Sequence, residues 1–357
     1  MLRKLIPPTI KARLRPYYRK FFPLEPPSFK SENGHLPTIL GLYIDLKCLA
    51  VCPHCCLLQE NPEVFHGNRF MTEDLFHDIL DNNTQAVDVI FTGGEALQHP
   101  KIFDWCKEVQ ERGMRAQIVS NGMSYTYDKI VDRLLHEKCF NNLQISLDGI
   151  NEKDYVAAKG LKKANFQKIC NNVTRVARAY KEDPDVTVVT SFIVSAENIH
   201  KTPSFIEHAI AMEVDMIHLH TLQLHDEANQ KKLGNTLFSM PTEYQEIMKR
   251  RDYPLKIHIQ PPIQSQYLHN YCGSLDNHLV TGPDGELTPC CHRPWNKSHG
   301  TFQTVLEPHN IPAAKEMRRG FMSGEPYEAC KMCNRRLKGL FSFDPRVKKW
   351  EFLEITE

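Results

Sequence analysis

Four cysteines lie within nine residues early in the chain, in the segment KCLAVCPHCC. Cys48, Cys52 and Cys55 have the spacing Cys-x3-Cys-x2-Cys, and Cys56 follows directly. Thiolates bind zinc and iron–sulfur clusters, and a closed zinc site needs four ligands. The segment therefore predicts either a zinc site completed by His54 or Cys56, or an iron–sulfur cluster that leaves one corner open for another ligand. Cys48, Cys52 and Cys55 are called the loop cysteines below.

A second group of cysteines lies near the carboxyl end of the chain. Cys272 and Cys290 have the spacing Cys-x12-Gly-x4-Cys, and Cys330 and Cys333 form a Cys-x2-Cys pair. Taken without context, four thiolates arranged as two pairs are typical of a zinc ribbon. These four residues are called the C-terminal cysteines below.

The distribution of the cysteines favours metal ligation over disulfide bonding. The chain has 12 cysteines in 357 residues, and they concentrate in the two groups just described. Disulfide scaffolds are usually short and secreted, whereas clustered thiols at short spacings are typical of metal sites in a reducing compartment. We therefore expect a cytoplasmic protein. Cys106, Cys139 and Cys170 stand apart from the groups and are predicted to be core residues.

Composition excludes several other classes of protein. The formal net charge is only +1, so nothing in the overall balance indicates nucleic-acid binding. No run of eighteen apolar residues is present, which predicts the absence of a transmembrane helix. Residues 1–37 are basic and rich in proline and aromatics, without the apolar core of a signal peptide. We expect them to form an irregular strap across the main domain.

The elements that must position the cysteines alternate regularly between residues 38 and 222. Six strand-like runs are each followed by a polar loop and, in most cases, an amphipathic segment, a pattern typical of a parallel sheet in α/β order. Functional groups in such folds lie at the carboxyl ends of the strands. The unusual residues stand there: the loop cysteines after the first strand, Gly93-Gly94-Glu95 after the second, Ser120-Asn121 after the third and Ser146 with Asp148 at the fourth.

Together these motifs resemble the radical S-adenosylmethionine (SAM) superfamily. The resemblance is carried by Cys-x3-Cys-x2-Cys after the first strand and TGGEAL after the second, and it extends over residues 38–222. It implies a partial (β/α)6 barrel, a 4Fe–4S cluster on the loop cysteines and SAM chelating the open iron. It also implies an electron donor of the flavodoxin or ferredoxin type. His54, before the third cysteine, takes the position usually held by an aromatic residue against the adenine.

The same resemblance places the SAM contacts on the loops after strands two to four. Glycines allow a ligand to approach the backbone closely, and a carboxylate can accept hydrogen bonds from the ammonium group of SAM. Alternatively, the same residue types form ordinary turns and helix N-caps. The predicted SAM contacts are His54, Gly93, Gly94, Glu95, Ser120, Asn121, Ser146 and Asp148.

The C-terminal cysteines after such a barrel resemble the SPASM family, in its shortened "twitch" form. The segment TGPDGELTPC predicts a hairpin around Asp284-Gly285, and no cysteine follows Cys333. The resemblance implies one auxiliary 4Fe–4S cluster held by Cys272, Cys290, Cys330 and Cys333. The predicted divisions are an extension (1–37), the barrel (38–222), a helical connection (223–270), the auxiliary domain (271–340) and a tail (341–357).

The twitch resemblance implies oxidation or epimerisation of a small polar molecule, with a sugar or cyclitol as the expected substrate. Cys291 is the candidate donor of a hydrogen atom to a carbon radical; otherwise it is a buried apolar residue. Candidate hydroxyl-binding residues are His218, His220, Gln223, His225, Asp226, His292, Arg293 and Asn296. The alternatives are a peptide-modifying enzyme of the SPASM type and, in a different class, a structural zinc protein.

Overall fold

The alternating segments between residues 38 and 222 form the strands that their sequence pattern predicts. The structure, a computed structural model, describes residues 28–55, 70–223, 236–291, 299–331 and 333–354. The strands are β1 (Ile39–Asp45), β2 (Asp88–Gly93), β3 (Arg115–Ser120), β4 (Asn142–Ser146), β5 (Thr187–Val194) and β6 (Met216–Thr221). The helices are α1 (Glu73–Asp81), α2 (Ile102–Glu111), α3 (Asp128–His136), α4 (Glu152–Lys159), α5 (Phe166–Ala179) and α6 (Thr202–Ala211).

Local sequence explains where several helices begin and end. Thr72 precedes α1, and its hydroxyl accepts a hydrogen bond from the backbone N–H of Leu75 (3.3 Å). Asn151 caps α4 in the same way through the N–H of Asp154 (2.9 Å), and α4 ends at Gly160, whose φ is +61°. The apolar faces of these helices pack on the sheet in one continuous core.

The described strands form one eleven-stranded sheet. The remaining strands are β7 (Lys256–Ile259), β8 (His278–Thr281), β9 (Leu287–Thr288), β10 (Gly339–Asp344) and β11 (Lys349–Glu354). The order is β11-β10-β7-β6-β5-β4-β3-β2-β1-β8-β9, and β1 to β8 pair in parallel wherever they are neighbours. The end strands β9 and β11 do not pair within the described residues, so the sheet is an open α/β barrel rather than a closed one. This confirms the predicted fold class.

The carboxyl-terminal third contributes strands to both sides of this sheet. The segment 223–270, expected to be a helical connection, contains the parallel strand β7 as well as α7 (Thr242–Ile247). Strands β10 and β11 pair antiparallel beyond β7, so part of the expected tail also belongs to the sheet. The hairpin around Asp284-Gly285 is confirmed: β8 and β9 pair antiparallel, and Gly285 has φ +77°. The division into domains stays a prediction.

Short helices and the amino-terminal strap complete the carboxyl-terminal region. The helices are α8 (Gly273–Asp276), α9 (Pro312–Met322) and α10 (Glu328–Lys331). Phe29 packs against Tyr271 and Phe321, with ring centroids 4.7 and 5.6 Å apart. The buried guanidinium of Arg318 donates to the carbonyl of Glu32 (3.0 Å). Residues 28–37 therefore lie on the C-terminal region as a strap. None of the described helices is long and apolar enough to span a bilayer.

Candidate active site

A chamber of about 530 Å³ opens at the carboxyl ends of the parallel strands. Residues of the loop after β1 and residues of the carboxyl-terminal segments both line it. Among the predicted site residues, those that line it are Cys48, Cys52, His54, Cys55, Gly93, Gly94, Ser120, Asn121, Ser146, Asp148, His218, His220, Gln223 and Cys291. The sheet topology thus brings together residues that are dispersed over more than two-thirds of the sequence.

The cysteine loop (residues 47–55) is held against its neighbours by backbone contacts. The N–H of Gly94 donates to the carbonyl of Asp45 (2.5 Å), and the N–H of Val51 donates to the carbonyl of Lys159 (2.8 Å). A Cβ atom added to Gly94 would collide with the carbonyl of Lys47, and one added to Gly93 would collide with that of Asp45. The two glycines are therefore required by the close approach of this loop to β2, before any ligand is considered.

The loop cysteines occupy a half-buried, polar environment. Burial raises the pKa of Cys48 to about 11 and that of Cys52 to about 12, so both are protonated thiols until a metal displaces the proton. The Nδ2 of Asn121 donates to Cys48 Sγ (3.4 Å), and the N–H of Cys55 donates to the carbonyl of Cys52 (3.0 Å). In the described part of the chain, no three His, Cys, Asp or Glu side chains converge as ligands of a single ion do. A cubane cluster distributes its thiolates over separate irons.

Glu95 anchors the loop after β2 to the loop after β3. Its buried carboxylate accepts hydrogen bonds from the Ser120 hydroxyl (2.9 Å), the N–H of Asn121 (2.8 Å) and the N–H of Leu97 (3.4 Å). Burial raises the pKa of Glu95, and these donors oppose that shift. Glu95 is not among the described residues that line the chamber, so here it positions Ser120 and Asn121. Direct contact between Glu95 and SAM stays a prediction.

A buried ion pair lies beneath the cysteine loop. Lys159 Nζ is 2.7 Å from Asp148 Oδ2, and the N–H of Ile193 donates to Asp148 Oδ1 (2.8 Å). Burial opposes the charge on Lys159, but Asp148 and then Cys52 raise the pKa of this lysine above its ordinary value. Both oxygens of Asp148 are engaged, so its role in this structure is to hold Lys159 beside Cys52.

The remaining wall of the barrel is polar and uncharged. His218 and His220 stack with ring centroids 3.9 Å apart and both line the chamber. Burial lowers the pKa of His220 to about 4, so this imidazole is neutral at physiological pH. The Ser146 hydroxyl lies 3.3 Å from that of Ser191, which donates to it. Burial also lowers the pKa of His54, which lies at the mouth of the chamber beside the ion pair.

The C-terminal cysteines are gathered in one region. Cys272 and Cys290 lie in a small apolar cluster with Tyr271 and Phe321, and Cys330 packs against it. Cys333 follows one turn after Cys330, whose carbonyl accepts its N–H (3.3 Å). Burial raises the pKa of Cys272 to about 12, and nearby Cys333 adds to that shift. The structure therefore brings together all four predicted ligands, while the auxiliary cluster stays a prediction.

Hydrogen bonds at two places connect the carboxyl-terminal segments to strands that line the chamber. The Asn334 Nδ2 donates to the carbonyl of Thr221 (3.3 Å) at the end of β6, and the Asn334 N–H donates to Gln223 Oε1 (3.0 Å). On the other side, the Tyr43 hydroxyl of β1 donates to the carbonyl of Cys291 (3.4 Å). Cys291 and Arg335 consequently line the chamber together with the loop cysteines.

Some predicted residues fall outside the described part of the chain, and some lining residues were not predicted. Cys56, His225, Asp226, His292, Arg293 and Asn296 belong to the first group. Lining residues that were not predicted include Tyr43, Gln144, Lys159, Gln260, Asn334 and Arg335. Arg335 could have been predicted as a site residue, because it lies only two residues after Cys333 of the Cys-x2-Cys pair. Lys159 carried no signal, since a lysine at a helix end is usually exposed.

The model of the radical SAM superfamily matches residues 46–209, which include the loop cysteines and the loops after β2 to β5. Residues 46–209 are a radical SAM domain. The cofactors of such a domain are a 4Fe–4S cluster and SAM. The described residues fit them, because the loop cysteines line a chamber large enough for a ligand and receive an amide donor and a lysine charge.

The similarity of the chain to known proteins extends beyond the radical SAM domain. The PqqA peptide cyclase of Bradyrhizobium diazoefficiens is 22% identical, over 88% of this chain and 83% of its own length. Streptococcus suis SuiB bound to precursor peptide SuiA matches 92% of this chain and 77% of that chain, with TM-score 0.57 and 13% identity. In another SuiB structure the match spans 65% of that chain. The anSMEcpe structure with bound AdoMet and Cp18Cys peptide matches 86% of this chain and 89% of that chain, with TM-score 0.56 and 16% identity. At these identities the structural matches show the fold.

Proposed function

We propose that the chain is a radical SAM enzyme that abstracts hydrogen from a residue of a peptide. The observation that carries the proposal is the chamber itself. Its lining combines the loop cysteines and the glycine loop of a radical SAM domain with Cys291, Asn334 and Arg335 from the carboxyl-terminal segments. A substrate bound in the chamber would contact both sets of residues.

Different residues of the site would bind the cluster, bind SAM and cover the substrate. The loop cysteines would hold the cluster, and the backbone of Gly93 and Gly94 with Asn121 and Ser146 would face SAM. When bound, the cluster and SAM supply a 5′-deoxyadenosyl radical. The protein must orient one C–H bond toward that radical and exclude water. The carboxyl-terminal wall, tethered at Thr221 and at Tyr43, would cover the substrate.

A peptide substrate replaces the sugar or cyclitol expected from the twitch resemblance. The relatives described above are named for peptide cyclisation or were crystallised with peptides, and the sequence match covers most of both chains. The polar wall formed by His218, His220, Gln144 and Gln260 suits amide groups as well as hydroxyls, because each of these side chains can hydrogen-bond without charge.

The C-terminal cysteines would hold an auxiliary 4Fe–4S cluster on the far side of the peptide. Four thiolates saturate such a cluster, so its role would be electron transfer and shaping of the chamber. Cys291 faces the same space and would be the hydrogen donor if the reaction ends in epimerisation.

The proposed peptide substrate can be tested by measuring the transfer of deuterium from substrate to 5′-deoxyadenosine. Mixtures of deuterated substrates are used, so no single peptide has to be chosen. The reconstituted enzyme is given SAM, a reductant and either the peptide fraction or the sugar fraction of cells grown in deuterated medium. We expect deuterated 5′-deoxyadenosine with the peptide fraction. A variant with all three loop cysteines changed to Ala is the control and should form none. Deuterium transfer from the sugar fraction alone would refute the peptide assignment and leave the radical SAM activity standing.

A further inference from the structure

Asn334 is the residue that joins the carboxyl-terminal segments to the end of β6. Its Nδ2 donates to the carbonyl of Thr221, and its backbone N–H donates to Gln223 Oε1. Because a carbonyl can only accept, the contact with Thr221 fixes which way the side-chain amide is turned. The Asn334 Oδ1 atom is buried and accepts no hydrogen bond from the described residues. Asn334 lines the chamber, which therefore contains a buried acceptor that a bound donor would satisfy.

A second buried polar atom of this kind belongs to β6 itself. His218 lines the chamber three residues before Thr221, and its buried Nε2 has no hydrogen-bond partner in the part of the chain that the structure describes. Burial, with the neighbouring histidines and Arg335, holds the pKa of His218 well below its ordinary value. The imidazole is therefore neutral at physiological pH, and its Nε2 donates a hydrogen bond in one tautomer and accepts one in the other.

The chemistry of these two atoms indicates the kind of group that fits them. Buried polar groups are nearly always hydrogen-bonded, because an unpaired one loses its hydration without compensation. Neither Asn334 nor His218 carries a charge, so the matching group is uncharged and offers both a donor and an acceptor. A peptide backbone offers both at every residue except proline. The three residues from His218 to Thr221 extend over about 10 Å, the length of about three residues of an extended peptide.

We propose that Asn334 and His218 bind the main chain of the peptide substrate. A backbone N–H of the substrate donates to Asn334 Oδ1, and the N–H of His218 Nε2 donates to a backbone carbonyl of the same extended segment. The inference rests on the proposed function, which supplies a peptide in this chamber. The substrate residue bound by Asn334 must carry an N–H, so proline and N-methylated residues are excluded at that position.

Two uncharged probes without side chains separate recognition of the N–H from general affinity for the chamber. One is N-acetyl-triglycine methylamide, and the other is its fully N-methylated counterpart, which keeps every carbonyl and has no N–H. Each is added in increasing amounts to the reconstituted enzyme with SAM, a reductant and the deuterated peptide fraction. The loss of deuterated 5′-deoxyadenosine gives an inhibition constant. The rise in unfolding temperature with each probe gives a second measure that does not depend on turnover.

Three variants identify the residues responsible. Asn334→Leu removes the acceptor, and His218→Phe removes Nε2 while keeping an aromatic ring. His258→Phe is the matched control. The ring of His258 lies edge-on to that of His218 with centroids 5.7 Å apart, and its Nε2 is likewise buried without a partner among the described residues. His258 is not, however, one of the described residues that line the chamber.

In the unmodified protein we expect the triglycine probe to bind about tenfold or more tightly than the methylated probe, the effect of one hydrogen bond to a buried acceptor. Asn334→Leu should bring the two constants together, whereas a merely loosened contact with β6 would weaken both probes alike. His218→Phe should weaken both probes and keep their ratio, and His258→Phe should change neither constant.

Equal binding of the two probes by the unmodified protein, or binding of neither, would overturn the main-chain site. That is the result expected if an ordered water satisfies Asn334 Oδ1 and His218 Nε2. Absence of deuterium transfer from the peptide fraction without any probe would instead overturn the proposed function, so the two failures are distinguishable.

Discussion

Replacing Lys159 by Met removes one partner of the buried ion pair under the cysteine loop. The side chains of Lys159 and Asp148 are 2% and 4% exposed, and their charged atoms are 2.7 Å apart. In the variant, the Asp148 carboxylate would retain the N–H of Ile193 as its donor but lose its counter-charge. A buried carboxylate left in this state is strongly destabilising because water cannot replace the missing partner.

The expected cost is about 3–5 kcal/mol in the free energy of unfolding, the range for a broken buried pair. At a urea slope of about 3 kcal/mol/M, the unfolding midpoint should fall by about 1 M or more. Removing both charges, with Asp148→Asn added to Lys159→Met, should recover most of the loss, because replacing the whole pair is often near neutral. Urea titrations followed by circular dichroism measure the unfolding midpoint and the free energy of unfolding of each variant.

The effect depends on pH in a defined direction. Burial alone would raise the pKa of Asp148, but the Lys159 charge, His54 and the hydrogen bonds from Lys159 and Ile193 together outweigh it and hold that pKa below its ordinary value. A carboxyl with a depressed folded-state pKa stabilises the fold above about pH 4 and loses that contribution as pH falls through the depressed value. In the Lys159→Met variant the carboxyl takes up a proton more readily on acidification. The difference between the two proteins should therefore begin to narrow above about pH 4 and continue to narrow as the pH falls toward the depressed pKa of the unmodified protein.

An exposed ion pair provides the matched control. Lys249 pairs with Glu246 at the surface, with side chains 70% and 60% exposed. Lys249→Met should cost less than about 1 kcal/mol, since exposed pairs contribute little. If Lys159→Met costs no more than Lys249→Met, or if the double variant is as unstable as the single one, the buried pair does not hold the loop in the way described.

Two further predictions concern the walls of the chamber. Gly94→Ala places a carbon 2.9 Å from the nearest side-chain carbon of the cysteine loop, so both cluster content and SAM affinity should fall. Gly113→Ala strains a backbone with φ +78° but its Cβ meets no neighbour, so it controls for backbone strain and should leave both unchanged. Normal cluster content in Gly94→Ala would contradict the close approach. Cys330→Ala combined with Cys333→Ala should preserve some formation of 5′-deoxyadenosine but stop substrate turnover, whereas Cys291→Ala should stop turnover only in an epimerisation. Full turnover in the double variant would exclude an auxiliary cluster on these thiols.

The sequence was sufficient for the barrel strands because each is a short apolar run bounded by polar loops. All six strand-like runs predicted between residues 38 and 222 form strands. The same rule failed for β7, a four-residue strand in a polar, proline-containing segment, and for β11, whose outward positions are charged. Strands of this kind are specified by their neighbours in the sheet more than by their own composition.

Site residues that are recognised by their type and spacing could be predicted from the sequence. Roles that depend on contacts between distant loops could not. The loop cysteines and Gly93-Gly94 belong to motifs whose spacing can be read directly from the sequence. No pattern in the sequence indicates that Glu95 turns away from the chamber to bind the loop after β3, or that Lys159 is buried. Both facts depend on which loops meet at the end of the sheet, and that is decided by tertiary packing.

The position of β1 in the sheet has a consequence for biosynthesis. β1 pairs with β2 on one side and with β8 on the other, so one neighbour is made soon after it and the other only after most of the chain. Until residues 278–281 leave the ribosome, β1 is an edge strand with unpaired backbone groups. The cysteine loop that follows it therefore lacks its finished support during most of translation. Iron delivered to a nascent chain would meet thiols on an incomplete sheet, and a chain truncated before β8 would not present them correctly. The support of β1 is therefore complete only once residues 278–281 have been made.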